Sequence, residues 1–243
     1  MLLLAVESSA GPASVAVLED GKILGESFVN TKQTHSQTLL PMVQELLRAL
    51  GKSCAEMDLF AVSNGPGSFT GVRIGVACVK GLAFVNNTPC CGVSTLEAIA
   101  TNGRAFEGQI LCAAMDARRS QVYNALFEVR DGALCRLTED RAISIEALAK
   151  ECAPYGDRLL LFGDGAVLCY EAMKGFGARL APAELRYQRA SSVAIAAQER
   201  FAQGKQESPA ELTPVYLRPP QAERELKLKK EQGELHNEGC HRM

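Results

Sequence analysis

Residues 65–75 read GPGSFTGVRIG, from Gly65 to Gly75, with four glycines, one proline, one threonine and one arginine in eleven positions. The stretch follows the apolar run Leu59-Phe60-Ala61-Val62 and opens a long apolar segment that ends near Val85. Strand, glycine-rich turn and helix start is the order in which backbone N–H groups can be aimed at an anion. It is equally the order of any tight β–α turn. Drawn at about 100° per residue, Val72, Val76, Val79 and Ala83 make one apolar seam of the following helix. Gly71, Gly75, Cys78 and Leu82 make a second, and Arg73, Ala77, Lys80 and Phe84 share a third side. The glycine seam would let another helix approach closely. Gly65-Pro66-Gly67 then serves to turn the chain from strand to helix, with anion binding at Gly65, Gly67, Ser68, Thr70 and Arg73 as the other use of the stretch.

Outward from that turn the pattern is regular. Leu2–Val6 reads as a buried strand and Ala13–Leu18 as a second, and Asp20-Gly21 is a hairpin signal into Lys22–Val29. THSQTLLPMVQELLRALG reads as a helix capped by Thr34 or Ser36 and stopped by Gly51. Pro41 places the start of the helix proper close to itself. Its Leu39, Leu40, Met42, Val43, Leu46, Leu47 and Leu50 spread over about 160°, more apolar surface than a half-exposed helix needs. The two helices therefore either pack on each other or form a subunit interface. Asp58–Ser63 and Thr88–Val93 read as strands, with a helix capped by Ser94-Thr95 running to Ala100. A mixed sheet with helices on its faces follows.

The second half begins like the first. Ile110–Met115 ends in Asp116 as the first strand ends in Glu7, Gln121–Val129 follows, and Asp131-Gly132 repeats the hairpin signal, the pattern of an internal duplication. A helix near Ser144–Cys152, a strand Arg158–Phe162, the turn Gly163-Asp164-Gly165, a further helix and a capped helix over Ser191–Gln203 complete it. From Pro219 onward acidic and basic residues cancel and apolar anchors are sparse, as in a solvated tail.

Length admits one or two domains, and 26 basic against 28 acidic residues leave no basic footprint for a large nucleic acid held by this chain alone. The start Leu2-Leu3-Leu4-Ala5-Val6 is broken by Glu7 and lacks a basic flank, so it reads as a strand rather than a signal peptide or membrane span. Nine cysteines contain no CxxC pair and read as small core residues of a cytoplasmic protein. Glu7 and Asp116 are candidates for a nucleotide cleft with Mg²⁺. Their turns, Ser8-Ser9-Ala10-Gly11-Pro12 and Ala117-Arg118-Arg119-Ser120, make a poor phosphate cradle, which favours structural carboxylates. His35 reads as a surface or cap-adjacent side chain without a catalytic partner, and His236, Cys240 and His241 as part of the tail. No catalytic residue and no metal site are expected.

NGPGSFTGVRIGVACVKGLAF, together with the strand end at Glu7-Ser8-Ser9, resembles the TsaB (YeaZ) family. THSQTLLPMVQELL, GVSTLEAIA at Gly92–Ala100, MDARRSQVYNALF and PVYLRPPQAE at Pro214–Glu223 carry the same resemblance. It implies an α/β, actin-like (ASKHA) two-lobe fold with an RNase H-like mixed sheet in each lobe: residues 1–104, residues 105–220, and a charged tail over 221–243. It also implies a non-catalytic scaffold or activating subunit in threonylcarbamoylation of adenosine beside the tRNA anticodon. The partners implied are the catalytic paralogue TsaD and the ATPase TsaE, with homodimerisation through the same surface, tRNA reached only through the complex, and no membrane. Carried over by position, the interface helices are Ser36–Leu50 and Thr70–Val85, with Leu39, Val43, Leu46, Leu47, Gly71, Gly75, Cys78 and Leu82 as contacts. No tightly bound cofactor is implied, ATP with Mg²⁺ entering only with partners. Glu7-Ser8-Ser9 departs from the family's Asp-Thr-Ser, which weakens a nucleotide role for that turn. The competing reading is an actin-like ATPase or small phosphotransferase acting alone; a glycoprotease-like hydrolase lacks its metal ligands.

Overall fold

The computed structural model describes residues 1–31 and 33–218; the expected tail, with His236, Cys240 and His241, lies outside them. Strands β1 (Leu2–Glu7), β2 (Ala13–Glu19) and β3 (Lys22–Val29) lead to helix α1 (His35–Leu50), β4 (Leu59–Gly65), α2 (Phe69–Phe84), β5 (Cys90–Ser94) and α3 (Thr95–Thr101). The second series is β6 (Ile110–Asp116), β7 (Gln121–Arg130), β8 (Ala133–Arg136), β9 (Arg141–Ser144), α4 (Ile145–Cys152), β10 (Leu159–Phe162), α5 (Ala166–Met173) and β11 (Arg179–Leu180). Short α6 (Ala183–Arg186) and α7 (Ala190–Ala202) close it.

The sheets run β3-β2-β1-β4-β5 and β11-β10-β6-β7-β8, with β9 paired to β7. Written from the hairpin end, the second order is β8-β7-β6-β10-β11, the same path as the first. In each, an antiparallel meander is followed by parallel strands added on the other side of the opening strand. The duplication read from the sequence is therefore topological, and the molecule is a two-lobe, actin-like α/β fold. Both Asp-Gly hairpins take positive φ at both residues, 47° and 83° at Asp20-Gly21 and 52° and 70° at Asp131-Gly132, as the primed hairpin turn requires.

β1 is apolar without alternation because both its faces are covered. Leu2, Leu4 and Val6 join a core with Val43, Leu47, Val72 and Val76 of α1 and α2. Leu3 and Ala5 join a second core with Val193, Ala194 and Ala197 of α7. The second sheet repeats the division, with Ile110 and Cys112 facing α4 and α5 and Leu111 and Ala113 facing Leu96 and Ile99 of α3. Helices α3 and α7 thus lie between the sheets, and α1, α2, α4 and α5 lie outside. Helix α7 follows the second sheet in sequence, yet its alanine-rich face packs against the first sheet. Of the eight described cysteines, all free, Cys90, Cys91, Cys112, Cys152 and Cys169 are buried.

Pro41 does not mark the start of α1, which begins six residues earlier at His35. The amide that Pro41 lacks would have bonded the carbonyl of Gln37, and both residues are exposed, so water can replace the lost bond. Thr34 is the N-cap without a side-chain bond, and Gly51 closes the helix at φ 63°, the left-handed stop expected of it.

Candidate functional site

The turn after β4 is built against the turn after β1. Ser68 N–H donates to the Ser9 carbonyl at 2.7 Å, and the Ser68 hydroxyl caps α2 by accepting from Gly71 N–H at 3.3 Å. A Cβ on Gly67 would lie 2.5 Å from the Ser9 carbonyl oxygen, and one on Gly75 would lie 2.5 Å from Ser8 Oγ. A Cβ on Gly71 would stand well inside 3.0 Å of the Ser8 carbonyl oxygen, and Ser8 Oγ donates to the Gly71 carbonyl at 2.9 Å. Spaced four apart, the three glycines form one stripe seated on Ser8 and Ser9. Gly65, at φ 127°, likewise makes room for the Val215 carbonyl, and Val215 N–H donates to the Asn64 carbonyl at 2.7 Å.

These contacts revise the expected interface. Gly71 and Gly75 admit the end of β1, not a partner's helix. Leu39 and Val43 are each 1% exposed and sit with Leu47 inside the first core, while Leu46 and Leu82 pack against it half-buried. Cys78 is half-buried, and burial pushes its thiol above the usual range. What stays open lies a third of a turn away: Ala77 and Gly81 are exposed, nothing approaches Gly81 within 4 Å, and Leu40, Phe84 and Val85 are 47%, 78% and 84% exposed.

Glu7 is fully buried. Its Oε1 accepts from Ser9 N–H and Ser9 Oγ, both at 2.6 Å, and its Oε2 accepts from Ser63 Oγ. Burial pushes its carboxyl above the usual range, partly offset by those hydrogen bonds. Asp116 has the same job in the second half, where its Oδ1 accepts from Arg118 N–H at 2.7 Å. Each strand-ending acid therefore fixes its own turn by accepting the amide two residues on. That leaves little for phosphates. Ser9 and Arg118 N–H serve the acids, and Ala117 N–H bonds the Gln121 carbonyl. Three amides of the two turns are thus engaged within the chain, and the fully buried Glu7 carboxylate does not reach the cleft.

A cleft of about 540 Å³ opens between the lobes. Gly67, Ser68 and Thr70 at the start of α2, Asp116 and Arg118 of the β6–β7 turn, Asp164 after β10, and Tyr216 and Arg218 are among its walls. Asp164 accepts from Gln188 Nε2 at 2.7 Å, and burial pushes its carboxyl up. Arg118, Arg119 and Ser120 hold left-handed φ of 65°, 53° and 55°. Arg73 lies outside this wall with its guanidinium 4.9 Å from the Phe69 ring centre. His35 opens α1, and its Nε2 meets the Ala10 carbonyl at 2.7 Å, a packing role near the cap. Tyr123, Asp164, Tyr216 and Arg218 were not singled out by the sequence as site residues; the signal was there only as the Gly-Asp-Gly turn and as two aromatic residues near arginines. Among the described residues no group of three or more His, Cys, Asp or Glu is placed to hold a metal ion, and no helix is long and apolar enough to cross a membrane.

Comparison with known proteins follows the same outline. A family model described as "TsaD: tRNA N6-adenosine threonylcarbamoyltransferase" matches residues 22–226. The chain is 32% identical over 220 residues to the tRNA threonylcarbamoyladenosine biosynthesis protein TsaB of Escherichia coli, covering 90% of this chain and 95% of that one. It is 35% identical over 145 residues to the Bacillus subtilis protein of the same name, covering 60% and 63%. Among solved structures, YeaZ from Pseudomonas aeruginosa superposes with a TM-score of 0.77 at 30% identity, covering 89% of this chain and 99% of that one.

Proposed function

The chain belongs to the TsaB (YeaZ) family, whose members are named for tRNA threonylcarbamoyladenosine biosynthesis, and from that premise we propose that it is a non-catalytic scaffold and activating subunit. In this reading it works in the cytoplasm, pairs with the paralogous transferase TsaD, recruits the ATPase TsaE to the pair, and meets tRNA as part of that assembly. The same surface serves a homodimer when the partner is absent, and ATP with Mg²⁺ enters with the partners rather than binding this chain tightly.

The observation that carries the reading is the uncovered apolar side of α2. Phe84 and Val85 are 78% and 84% exposed at its end, with the open Gly81 and Ala77 one and two turns before them. Leu40 on α1 adds to the exposed apolar surface. A small-residue stripe ending in an aromatic anchor is how a helix lets a partner approach closely and then grip. The carboxylates support the non-catalytic half of the reading: Glu7 is shut inside its own turn and Asp116 is bonded to the Arg118 amide.

Isothermal titration of TsaD into the chain tests it. Burying Phe84 is worth about 1.5–3 kcal/mol, so Phe84→Ala is expected to weaken binding by about 10- to 150-fold. Gly81→Leu fills the space a partner needs and is expected to do the same without disturbing the fold. Unchanged affinity in both variants would show that this face is not the docking surface.

A further inference from the structure

Residues 204–218 form a strap that crosses from one lobe to the other. On the first lobe Glu207 bridges Cys90, Lys80 Nζ donates to the Ala210 and Leu212 carbonyls at 3.1 Å each, and Tyr216 stacks on Phe69 with centroids 4.7 Å apart. Arg218 then reaches the second lobe. It donates to the Ala117 carbonyl at 3.4 Å and to Gln121 Oε1, and lies 5.7 Å from the Tyr123 ring centre. With Arg73 over Phe69, the strap sets Arg73, Phe69, Tyr216, Arg218 and Tyr123 in sequence across the cleft mouth. The β6–β7 turn completes this rim with exposed Arg118 and Arg119, the Arg118 side chain being 87% exposed.

We propose that this rim is a contact surface for an unpaired stretch of RNA, which stacks a base against Tyr216 and sets phosphates at Arg118, Arg119 and Arg73. Alternating cations and aromatic rings along a groove suit a single strand, because every base has a face to stack and every linkage a charge to neutralise. Tyr216 stays 40% exposed beside the cleft, and among the described residues the Arg118 side chain has only the 3.6 Å pairing with Asp116. Three consecutive non-glycine residues in the left-handed region cost about 1–2 kcal/mol each, and here they hold two arginines at the rim.

A free nucleotide fits less well. Its clustered phosphates would face the Asp116 and Asp164 carboxylates on the cleft wall, and the Ser9, Ala117 and Arg118 amides are already engaged within their own turns. A strand along the rim keeps its phosphates at the arginines and leaves those carboxylates to accept from 2′-hydroxyls or base amino groups. The chain's net charge of −2 makes the attraction local rather than a field over the whole surface. The choice of RNA over DNA rests on the tRNA-modification reading above; the stacking and charge arguments do not.

The test uses the full purified chain without any partner, so its failure leaves the TsaD titration untouched. A short, unstructured, fluorescein-labelled RNA is titrated by anisotropy over a series of salt concentrations. Replacing both rim arginines (Arg118→Gln with Arg119→Gln) is expected to weaken binding at low salt and to flatten the log–log salt slope by about 1.4, or 0.7 per lost phosphate contact. Tyr216→Ala is expected to weaken it about 5- to 150-fold, with Tyr216→Phe close to the wild type. Arg48→Gln on exposed α1 is the control for removing a cation away from the rim, and thermal melts verify that each variant folds. Three results would each overturn the proposal: wild type that does not saturate, rim variants that bind like Arg48→Gln, or ATP displacing the probe as well as unlabelled RNA does at equal nucleotide concentration.

Discussion

Two glycines on one helix should respond to the same substitution with opposite signs. In isolation Gly→Ala inside a helix gains about 1 kcal/mol from propensity, and Gly81→Ala should realise most of that, because nothing lies within 4 Å of its Cβ position. At Gly71 the added carbon would stand well inside 3.0 Å of the Ser8 carbonyl oxygen and 3.3 Å from His35 Cδ2. The oxygen is backbone at the end of a fully buried strand and has no rotamer to escape into. Relief requires α2 to lift from β1. That breaks the 2.9 Å bond from Ser8 Oγ to the Gly71 carbonyl, worth about 1 kcal/mol. It also loosens Val72 and Val76 in the first core, an overpacking strain of about 1–3 kcal/mol. Set against the propensity gain, the net loss is about 2 kcal/mol, so the two variants should differ by about 3 kcal/mol. Urea unfolding followed by circular dichroism reads this as midpoints that move apart, Gly71→Ala down and Gly81→Ala up, at a common slope. If both midpoints rise together, the glycine stripe does not seat on the Ser8-Ser9 turn and the revision of the interface is wrong.

Glu7→Gln should remove a pH dependence. Folding raises the Glu7 carboxyl above its ordinary 4.5, so the native state holds the extra proton, and the associated stability is lost as pH rises through the raised value. The wild type is therefore expected to lose ground to Glu7→Gln above about pH 4.5, by up to about 1.4 kcal/mol per pH unit; parallel stability profiles would contradict a buried, upshifted Glu7. Gly65→Ala places a Cβ against the Val215 carbonyl at φ 127° and should detach the strap there. Faster hydrogen exchange at the Val215 amide checks this, and unchanged protection would mean that the strap does not depend on that turn.

Much of the fold was legible because the hydrophobic pattern and the turn chemistry agreed. Leu2–Val6 and Ile110–Met115 read as central strands from unbroken apolar runs, and Asp20-Gly21 and Asp131-Gly132 announced hairpins that the structure contains. The helix seams of α2 were drawn at the right angles too. Their partners were not legible, because periodicity says which residues share a side and not what faces that side. Gly71 and Gly75 were read as room for another helix, whereas the room is filled by Ser8, sixty-odd residues earlier in the chain. Leu39 and Val43 suffered the same ambiguity, since core and interface leucines look alike in one dimension. Pro41 misled for a local reason, as the carbonyl it leaves unpaired is on the wet side of α1. The cleft rim was hidden most deeply: it joins a turn near residue 118 to Tyr216 and Arg218 about a hundred positions later, and only the return of the chain after α7 brings them together.

The two halves began from one plan, and their differences are concentrated where the plan meets the cleft. In both, a strand-ending acid accepts the amide two residues on and so fixes the following turn. In the first half the stripe Gly67, Gly71 and Gly75 presses α2 onto that turn until Ser8 and Ser9 are fully buried and Glu7 has no path to solvent. In the second half, Gly163 and Gly165 seat the turn after β10 on Ala114 and Met115, but Arg118, Arg119 and Ser120 stay exposed. With Glu7 shut in by packing on one side, and Arg118 and Arg119 lifted outward on left-handed residues on the other, the arginines stand at the rim of the space between the lobes. The two contact surfaces proposed above, an apolar helix side on α2 and a cationic, aromatic rim across the strap, are then separate features of the chain. That division predicts that rim substitutions and α2 substitutions act independently, so the effects of Phe84→Ala and Tyr216→Ala on any shared readout should add. A measured coupling beyond about 0.5 kcal/mol between them would mean that α2 transmits between the two surfaces, and the separation argued from Ser8, Ser9 and the glycine stripe would fail.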